Sequence, residues 1–148
     1  MKKNTEQANT NKMYRKRTKK QQLRSEADKL WFLKYLKNCC EVCGTKGILQ
    51  AHHFFYRSSY GHLRYLPENH ITLCHACHFL LHHQDPKAIE DQITAKRGLK
   101  WLIELKEMAY KRPPGSYLTL QYYYDRIKEL QDYETNDRKT NRTCKGNG

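Results

Sequence analysis

Two Cys-x-x-Cys motifs constrain this chain more than any other feature. They are 31 residues apart and contain Cys40, Cys43, Cys74 and Cys77. Four thiolates in a tetrahedral arrangement form a closed structural zinc site. In a reducing compartment such motifs bind metal far more readily than they form disulfides. We therefore expect a structural Zn²⁺ on which folding depends. Disulfides or free buried thiols are the alternatives, and Cys39 is a second choice of ligand.

The histidines predict a second metal site. All eight histidines of the chain lie between residues 40 and 83. His78 and His82 are four residues apart in a predicted helix and so share one face. A third imidazole, from His52 or His53 at the end of a predicted strand, would complete a set of three with an open position. Such a set suits zinc, nickel or manganese better than magnesium. The other member of the pair could act as general base, because neighbouring strand residues point to opposite faces. The remaining candidates are interpreted as surface or hydrogen-bonded residues: His62, His70 and His83.

The charge of the chain predicts a polyanionic partner. Lys and Arg number 28 against 15 Asp and Glu in 148 residues, which gives a net charge of +13. Phosphate contacts are made by cations and driven by counterion release, so nucleic acid is favoured over a membrane. No segment reaches the roughly 18 apolar residues of a spanning helix, and the N-terminus lacks the apolar run of a signal peptide. A cytoplasmic, intracellular location is the resulting expectation.

The composition divides the chain into four parts. Residues 1–24 hold nine Lys or Arg and one acid, which predicts a disordered basic arm. Residues 25–85 form the expected core, led by an amphipathic helix with Ser25 as its N-cap. Residues 86–133 are expected to be a helical C-terminal extension, and residues 134–148 a flexible tail. Shorter predicted elements are strands at 48–51 and 71–73, a long exposed loop at 54–67, and helices at 86–96, 99–111 and 117–132.

The central stretch resembles the HNH endonucleases of the ββα-metal, or His-Me finger, superfamily. The resemblance covers about 44 residues, 40–83, in which a Cys-x-x-Cys motif precedes AHH, ENHITLCHACH and HFLLH. It implies a small α+β fold with a ββα-metal core, stapled by the four-cysteine zinc site and flanked by helices. The histidine set is similar to that of the colicin-type nuclease domains. Small basic proteins of this family are typical of phages and mobile elements.

The resemblance also implies roles for individual residues. His52 is then the first metal ligand, His53 the general base, and Asn69 the residue that fixes the loop orienting that base. His78 and His82 are the other ligands of a single catalytic metal, which could be Zn²⁺, Ni²⁺, Mn²⁺ or Mg²⁺. The implied reaction is phosphodiester hydrolysis with 5′-phosphate and 3′-hydroxyl products. Two departures from the family pattern are the histidine at 52, where aspartate is common, and a following loop without a proline-glycine signature.

The loop between the two histidine-bearing segments contains candidate nucleic-acid contacts. Arg57 and Arg64 could bind phosphates, and His75 inside the second motif could also touch one. Tyrosines around them, Tyr56, Tyr60 and Tyr65, could stack on sugars or bases. The predicted function is a metal-dependent HNH endonuclease acting on DNA. The alternative is a non-catalytic, zinc-dependent nucleic-acid-binding module on the same scaffold; a protein-binding adaptor has no positive support.

Overall fold

The described part of the molecule is a small α+β structure. The computed structural model describes residues 16–132, and the predicted tail and most of the predicted arm lie outside them. The described residues contain five α-helices and one two-stranded sheet. The predicted α+β class is thus confirmed. Within the described range, no helix has the length and apolar content that crossing a membrane requires.

The sheet is an antiparallel pair that carries the His-His pair and one cysteine. β1 spans Leu49–His53 and β2 spans His70–Cys74, with Leu49 opposite Cys74 and His53 opposite His70. The first helix after the sheet, α2 in chain order, spans His75–His83 and begins directly where β2 ends. The second Cys-x-x-Cys motif therefore crosses a strand-to-helix junction.

The connection between the two strands is more ordered than the sequence predicted. It contains two single-turn 3-10 helices, Gly61–Leu63 and Pro67–Asn69. Leu63 is 1% exposed and Tyr65 is 7% exposed. The expectation of a long exposed loop is wrong for this half of the segment, because two apolar side chains insert into the core.

The leading helix, α1, begins earlier than predicted. It spans Lys19–Tyr35, and Thr18 is its N-cap. Thr18 and Gln21 form a capping box, in which each side chain binds the backbone N–H of the other residue. Ser25 lies inside the helix, so its assignment as N-cap is wrong, and residues 19–24 are helical rather than part of a disordered arm. The buried face of the helix already begins in this part: Leu23, Ala27 and Trp31.

The C-terminal helices follow the predicted order. α3 spans Pro86–Arg97 with Asp85 as N-cap, and α4 spans Leu99–Tyr110. Gly98 separates them with a φ of +95°, a conformation that residues with a Cβ rarely adopt. α5 spans Leu120–Asp132 and packs against α1. The predicted extension is thus integrated into the fold rather than appended to it.

Two of the apolar clusters position the site. One surrounds the cysteines and the sheet and includes residues of α3, and the other lies between α1 and α5. Trp31 of α1 reaches from the second cluster to the end of the sheet, where its ring contacts His53 and His70. α1 therefore covers the end of the sheet at which the paired histidines lie.

Candidate functional site

The four cysteines of the two motifs converge at one point. The sulfur atoms of Cys40, Cys43, Cys74 and Cys77 all lie within 4.8 Å of one another. The distance between Cys43 Sγ and Cys74 Sγ is 3.6 Å. A tetrahedral site with zinc–sulfur bonds of about 2.3 Å has sulfur–sulfur edges of about 3.8 Å. The set could therefore hold a structural metal, and Cys39 is not part of it.

Tight turns present the first pair of thiols. Gly44, with a φ of +75°, donates its N–H to the carbonyl of Cys40, and Cys40 donates its own to the carbonyl of Thr45. The hydroxyl of Thr45 lies 3.2 Å from Cys43 Sγ. This contact lowers the pKa of the Cys43 thiol to about 6, because a hydroxyl can donate to a thiolate. Cys43 is thus poised to bind as the anion that a metal requires.

Glu41, inside the first motif, ties that motif to the second strand. Its N–H donates to the carbonyl of Thr72, and its carboxylate accepts the N–H of Thr72, both at 2.9 Å. The same carboxylate binds Arg97 of α3 at 2.7 Å and Lys37 at 2.8 Å. Burial acts to raise the pKa of Glu41, but these two cations lower it overall. Glu41 thus fixes the first Cys-x-x-Cys motif beside Cys74. Its role was not predicted from the sequence.

Three histidines lie close enough together to form a second candidate ligand set, and of the two histidines that the spacing left open it includes His52. The ring nitrogens of His52, His78 and His82 lie within 4.8 Å of one another. His52 Nε2 and His82 Nε2 are 3.0 Å apart. Two nitrogens bound tetrahedrally at about 2.0–2.1 Å from one ion would be about 3.3 Å apart. β1 supplies one ligand and α2 the other two, one helical turn apart.

His52 and His78 are neutral at neutral pH. Burial, with a smaller contribution from His82 and His78, lowers the pKa of His52 to about 4. Burial likewise lowers the pKa of His78. His52 Nδ1 is buried and has no hydrogen-bond partner among the described residues. The other ring nitrogen of His52, Nε2, lies 3.0 Å from Nε2 of His82. Nε2 is therefore the nitrogen of His52 that is placed to bind an ion.

His53 lies next to this set but is held by different partners. Its Nε2 is 2.9 Å from the backbone carbonyl oxygen of Arg64. Because a carbonyl only accepts, Nε2 carries the proton and Nδ1 keeps the lone pair. Its ring stacks on that of Trp31, with centroids 4.2 Å apart and planes at 4°. Burial lowers the pKa of His53 to about 4, so the imidazole is neutral at pH 7.

Asn69 is fully buried and fastens the connection that holds His53. Its Oδ1 accepts the N–H of Phe55 at 2.7 Å. Its Nδ2 donates to the carbonyls of Phe55 and Leu63 at 3.1 and 3.2 Å. Leu63 immediately precedes Arg64, whose carbonyl binds His53. The contacts of Asn69 thus agree with the loop-fixing role that the resemblance implies.

Of the three predicted nucleic-acid contacts, two are exposed and the third is paired with a carboxylate of the protein. The side chain of Arg57 is 58% exposed, and His75 is exposed at the start of α2. Arg64 instead donates two hydrogen bonds to the carboxylate of Asp28, at 2.7 and 2.5 Å. The guanidinium is thus already paired with a carboxylate of the protein, and its role as a phosphate contact stays a prediction.

The predicted stacking tyrosines also differ from one another. Tyr56 is 42% exposed, and its ring lies 6.3 Å from that of His82 in a stacked arrangement. Tyr65 is buried against Tyr122 and Tyr123. Tyr65 is therefore a core residue, whereas Tyr56 faces solvent beside the histidine set.

The other three histidines play no part in the set. His62 Nε2 lies 3.1 Å from the carbonyl of Met108, and His83 is exposed. His70 is 2% exposed, and its Nε2 has no hydrogen-bond partner within residues 16–132. The surface alternative for His70 is therefore wrong, because Trp31 covers its ring.

No family model, curated protein or solved structure matches the chain. The assignment of function therefore rests on the two ligand sets and on the residues around them.

Proposed function

We propose that this protein is a metal-dependent endonuclease of the HNH type that hydrolyses phosphodiester bonds in DNA. One observation carries the proposal. Three imidazoles converge within 4.8 Å, while the neighbouring His53 is held apart by the carbonyl of Arg64. A set of ligands beside a separately oriented base is the arrangement that metal-assisted hydrolysis requires.

In this proposal His52, His78 and His82 hold one catalytic divalent metal. Three imidazole nitrogen donors fit Zn²⁺, Ni²⁺ or Mn²⁺ better than Mg²⁺, which prefers oxygen. When bound, such an ion supplies a Lewis acid that stabilises the charge growing on the phosphate oxygens. β1, β2 and α2, which carry these residues, are the proposed ββα-metal core.

His53 is the proposed general base. Its Nδ1 lone pair takes a proton from the water that attacks phosphorus, and the bond to the 3′ oxygen breaks. The 3′ oxygen takes a proton from solvent and leaves as the hydroxyl, and the imidazolium later returns its proton to solvent. Nε2–H continues to donate to the carbonyl of Arg64, so the positive charge that forms on the ring faces an oxygen. Trp31 fixes the plane of the ring, and Asn69 fixes the segment that carries the carbonyl.

The four thiols hold a structural Zn²⁺ in this account. The sulfur–sulfur distance of 3.6 Å supports this assignment. The ion would join the turn before β1 to the junction of β2 and α2. Both strands of the sheet and the helix with two histidine ligands would then be fixed relative to one another. Loss of this ion is therefore expected to unfold the site as well as the core.

The substrate assignment rests on charge and on exposed side chains. The chain carries a net charge of +13. Tyr56, Arg57 and His75 are exposed, and Tyr56 directly contacts the rings of His52 and His82. A phosphate at the histidine set would thus have the ring of Tyr56 beside it and the guanidinium of the next residue, Arg57, which are groups that bind nucleic-acid backbones.

A plasmid cleavage assay tests the proposal. Supercoiled DNA is incubated with the protein and Mg²⁺, Mn²⁺, Ni²⁺ or Zn²⁺, and nicked or linear products are measured. We expect cleavage with at least one of these ions and a loss of at least a hundredfold in His53→Ala. His83→Ala, on the exposed end of α2, is the control and should cut normally. Cleavage by His53→Ala at the normal rate, or no cleavage with any ion, would contradict the proposal. Binding of DNA without any cleavage would favour the non-catalytic module.

A further inference from the structure

An open cleft lies between the beginning of α1 and the connection that follows β1. Its volume is about 590 Å³, within the roughly 300–1,000 Å³ of pockets that enclose small-molecule ligands. Five of its lining residues are cations and one is an acid: Lys16, Arg17, Arg24, Arg57, Arg64 and Asp28. We call this feature the basic cleft.

Most of the positive charge in the basic cleft is not neutralised by the protein. Asp28 binds Arg64 closely and lies 3.9 Å from Arg57. Lys16, Arg17 and Arg24 form no ion pair within residues 16–132. Like charges gathered on a concave surface concentrate the positive potential and attract an anion.

Side chains, rather than the end of α1, supply this attraction. The capping box of Thr18 and Gln21 already satisfies the N–H of Gln21 at the start of the helix. Arg17 is positioned by its guanidinium, which lies 3.4 Å from the hydroxyl of Ser25. Arg24 follows in the second turn of the helix, with its side chain exposed. The cleft thus presents several separate cations, which suits a chain of phosphates better than a single anion.

The basic cleft and the histidine set are linked by neighbouring residues of the chain. Arg57 lines the cleft, and the residue before it, Tyr56, contacts His52 and His82 with ring centroids 5.7 and 6.3 Å apart. Asp28 and Arg64 also line the cleft, and the carbonyl of Arg64 binds His53. A strand whose phosphate lies at the histidines can therefore continue past Tyr56 into the cleft.

We propose that the basic cleft binds the sugar-phosphate backbone of the substrate strand, next to the phosphate that lies at the histidine set. The position of the scissile phosphate in this inference rests on the proposed nuclease function. A concave cleft admits a strand and excludes the flat surface of a bilayer, which favours nucleic acid over anionic lipid. α1 would then have two tasks, since it holds the base through Trp31 and the strand through its first two turns.

The test measures the affinity for a labelled oligonucleotide at several salt concentrations. All variants are made on the His53→Ala background, so that cleavage does not interfere. We expect Arg24→Glu to weaken binding about tenfold or more and to reduce the slope of log K against log salt by about one. Arg57→Gln should weaken binding in the same direction.

Lys29→Glu is the matched control, because Lys29 is exposed on the same helix and does not line the cleft. It changes the net charge by the same amount but should leave the affinity within about twofold and the salt slope unchanged. Equal effects of Arg24→Glu and Lys29→Glu, or no effect of either, would overturn the inference. Circular dichroism compares the folding of the two variants.

Cleavage kinetics with His53 intact separate this inference from the proposed function. Arg24→Glu should raise KM for DNA about tenfold and leave kcat within about twofold, because the cleft does not contact the reacting atoms. If the protein never cuts but its affinity depends on Arg24, the nuclease proposal fails and the cleft remains a nucleic-acid site. If Arg24→Glu cuts with unchanged KM, the cleft assignment fails and the nuclease proposal remains.

Discussion

The indole ring of Trp31 lies parallel to the imidazole of His53, with centroids 4.2 Å apart and planes at 4°. Trp31 is 3% exposed, and its Nε1–H points to the carbonyl of Leu66 at 3.4 Å. The ring of His53 is thus held by stacking on one side and by the carbonyl of Arg64 at its edge. A helix outside the metal-binding motifs therefore determines how the proposed base is oriented.

Replacement of Trp31 by leucine should slow catalysis more than it weakens binding. A small misplacement of a catalytic group can cost about a hundredfold in rate, so kcat should fall about 10- to 100-fold while KM changes little. The free energy of unfolding should decrease by about 2–3 kcal/mol because a large buried ring is truncated. Trp31→Phe should restore most of kcat by providing another flat ring. Steady-state kinetics check this, and a loss confined to KM would contradict the positioning role.

Replacement of Asp28 by asparagine should change binding and catalysis in opposite directions. Asp28 is the acid in the basic cleft and the ion-pair partner of Arg64. Its neutralisation makes the cleft more positive, so oligonucleotide affinity should rise about threefold or more. It also loosens the segment whose carbonyl binds His53, so kcat should fall several-fold. Anisotropy and cleavage rates measure the two effects, and weaker binding in Asp28→Asn would contradict the account.

Replacement of Glu41 by glutamine should destabilise the fold at neutral pH. Removal of one partner from a buried ion pair costs about 3–5 kcal/mol, and Glu41 and Arg97 are both mostly buried. Glu104→Gln, on an exposed ion pair of α4, is the control and should change the free energy of unfolding by no more than about 0.5 kcal/mol. Denaturant unfolding with saturating zinc measures both.

The effect of Glu41→Gln should also depend on pH. Burial opposes ionisation of Glu41, but Arg97 and Lys37 lower its pKa below the ordinary value of 4.5. A carboxylate with a lowered pKa contributes stability above its ordinary pKa, and this contribution disappears as the pH falls through the lowered value. The difference between wild type and Glu41→Gln should thus be constant above about pH 5.5 and shrink below pH 4.5. A difference that grows on acidification would contradict the assigned direction.

Local spacing predicted the parts of the site that depend on neighbours in the chain. His78 and His82 share a helical face because they are one turn apart, and Asp85 before Pro86 caps α3 as its sequence indicates. The contact between Trp31 and His53 could not be predicted in this way, because the two residues lie in different elements that only packing brings together. No spacing rule in the chain connects them.

Two other contacts also join residues that are far apart in the chain. Arginine is a residue type that commonly binds phosphate, but the side chain of Arg64 forms an ion pair with Asp28, which is 36 residues away in the chain. Glu41 likewise meets Arg97, 56 residues later, through the packing of α3 on the first motif. The start of α1, by contrast, has a local signal, because Thr18 and Gln21 form a capping box within a segment whose charge favours disorder.

The central claim is that residues 40–83 form two separate metal sites, one of cysteines and one of histidines. The number of metal ions bound per chain tests this claim most directly. Protein loaded with excess Zn²⁺ and desalted is analysed by elemental mass spectrometry and for plasmid cleavage. We predict two ions in the wild type and in His83→Ala, both of which cut with at least one of Mg²⁺, Mn²⁺, Ni²⁺ and Zn²⁺. We predict one ion in the His78→Ala, His82→Ala double variant, which stays folded and does not cut. A wild type that binds one ion, or a double variant that retains two ions and cuts, would contradict the account.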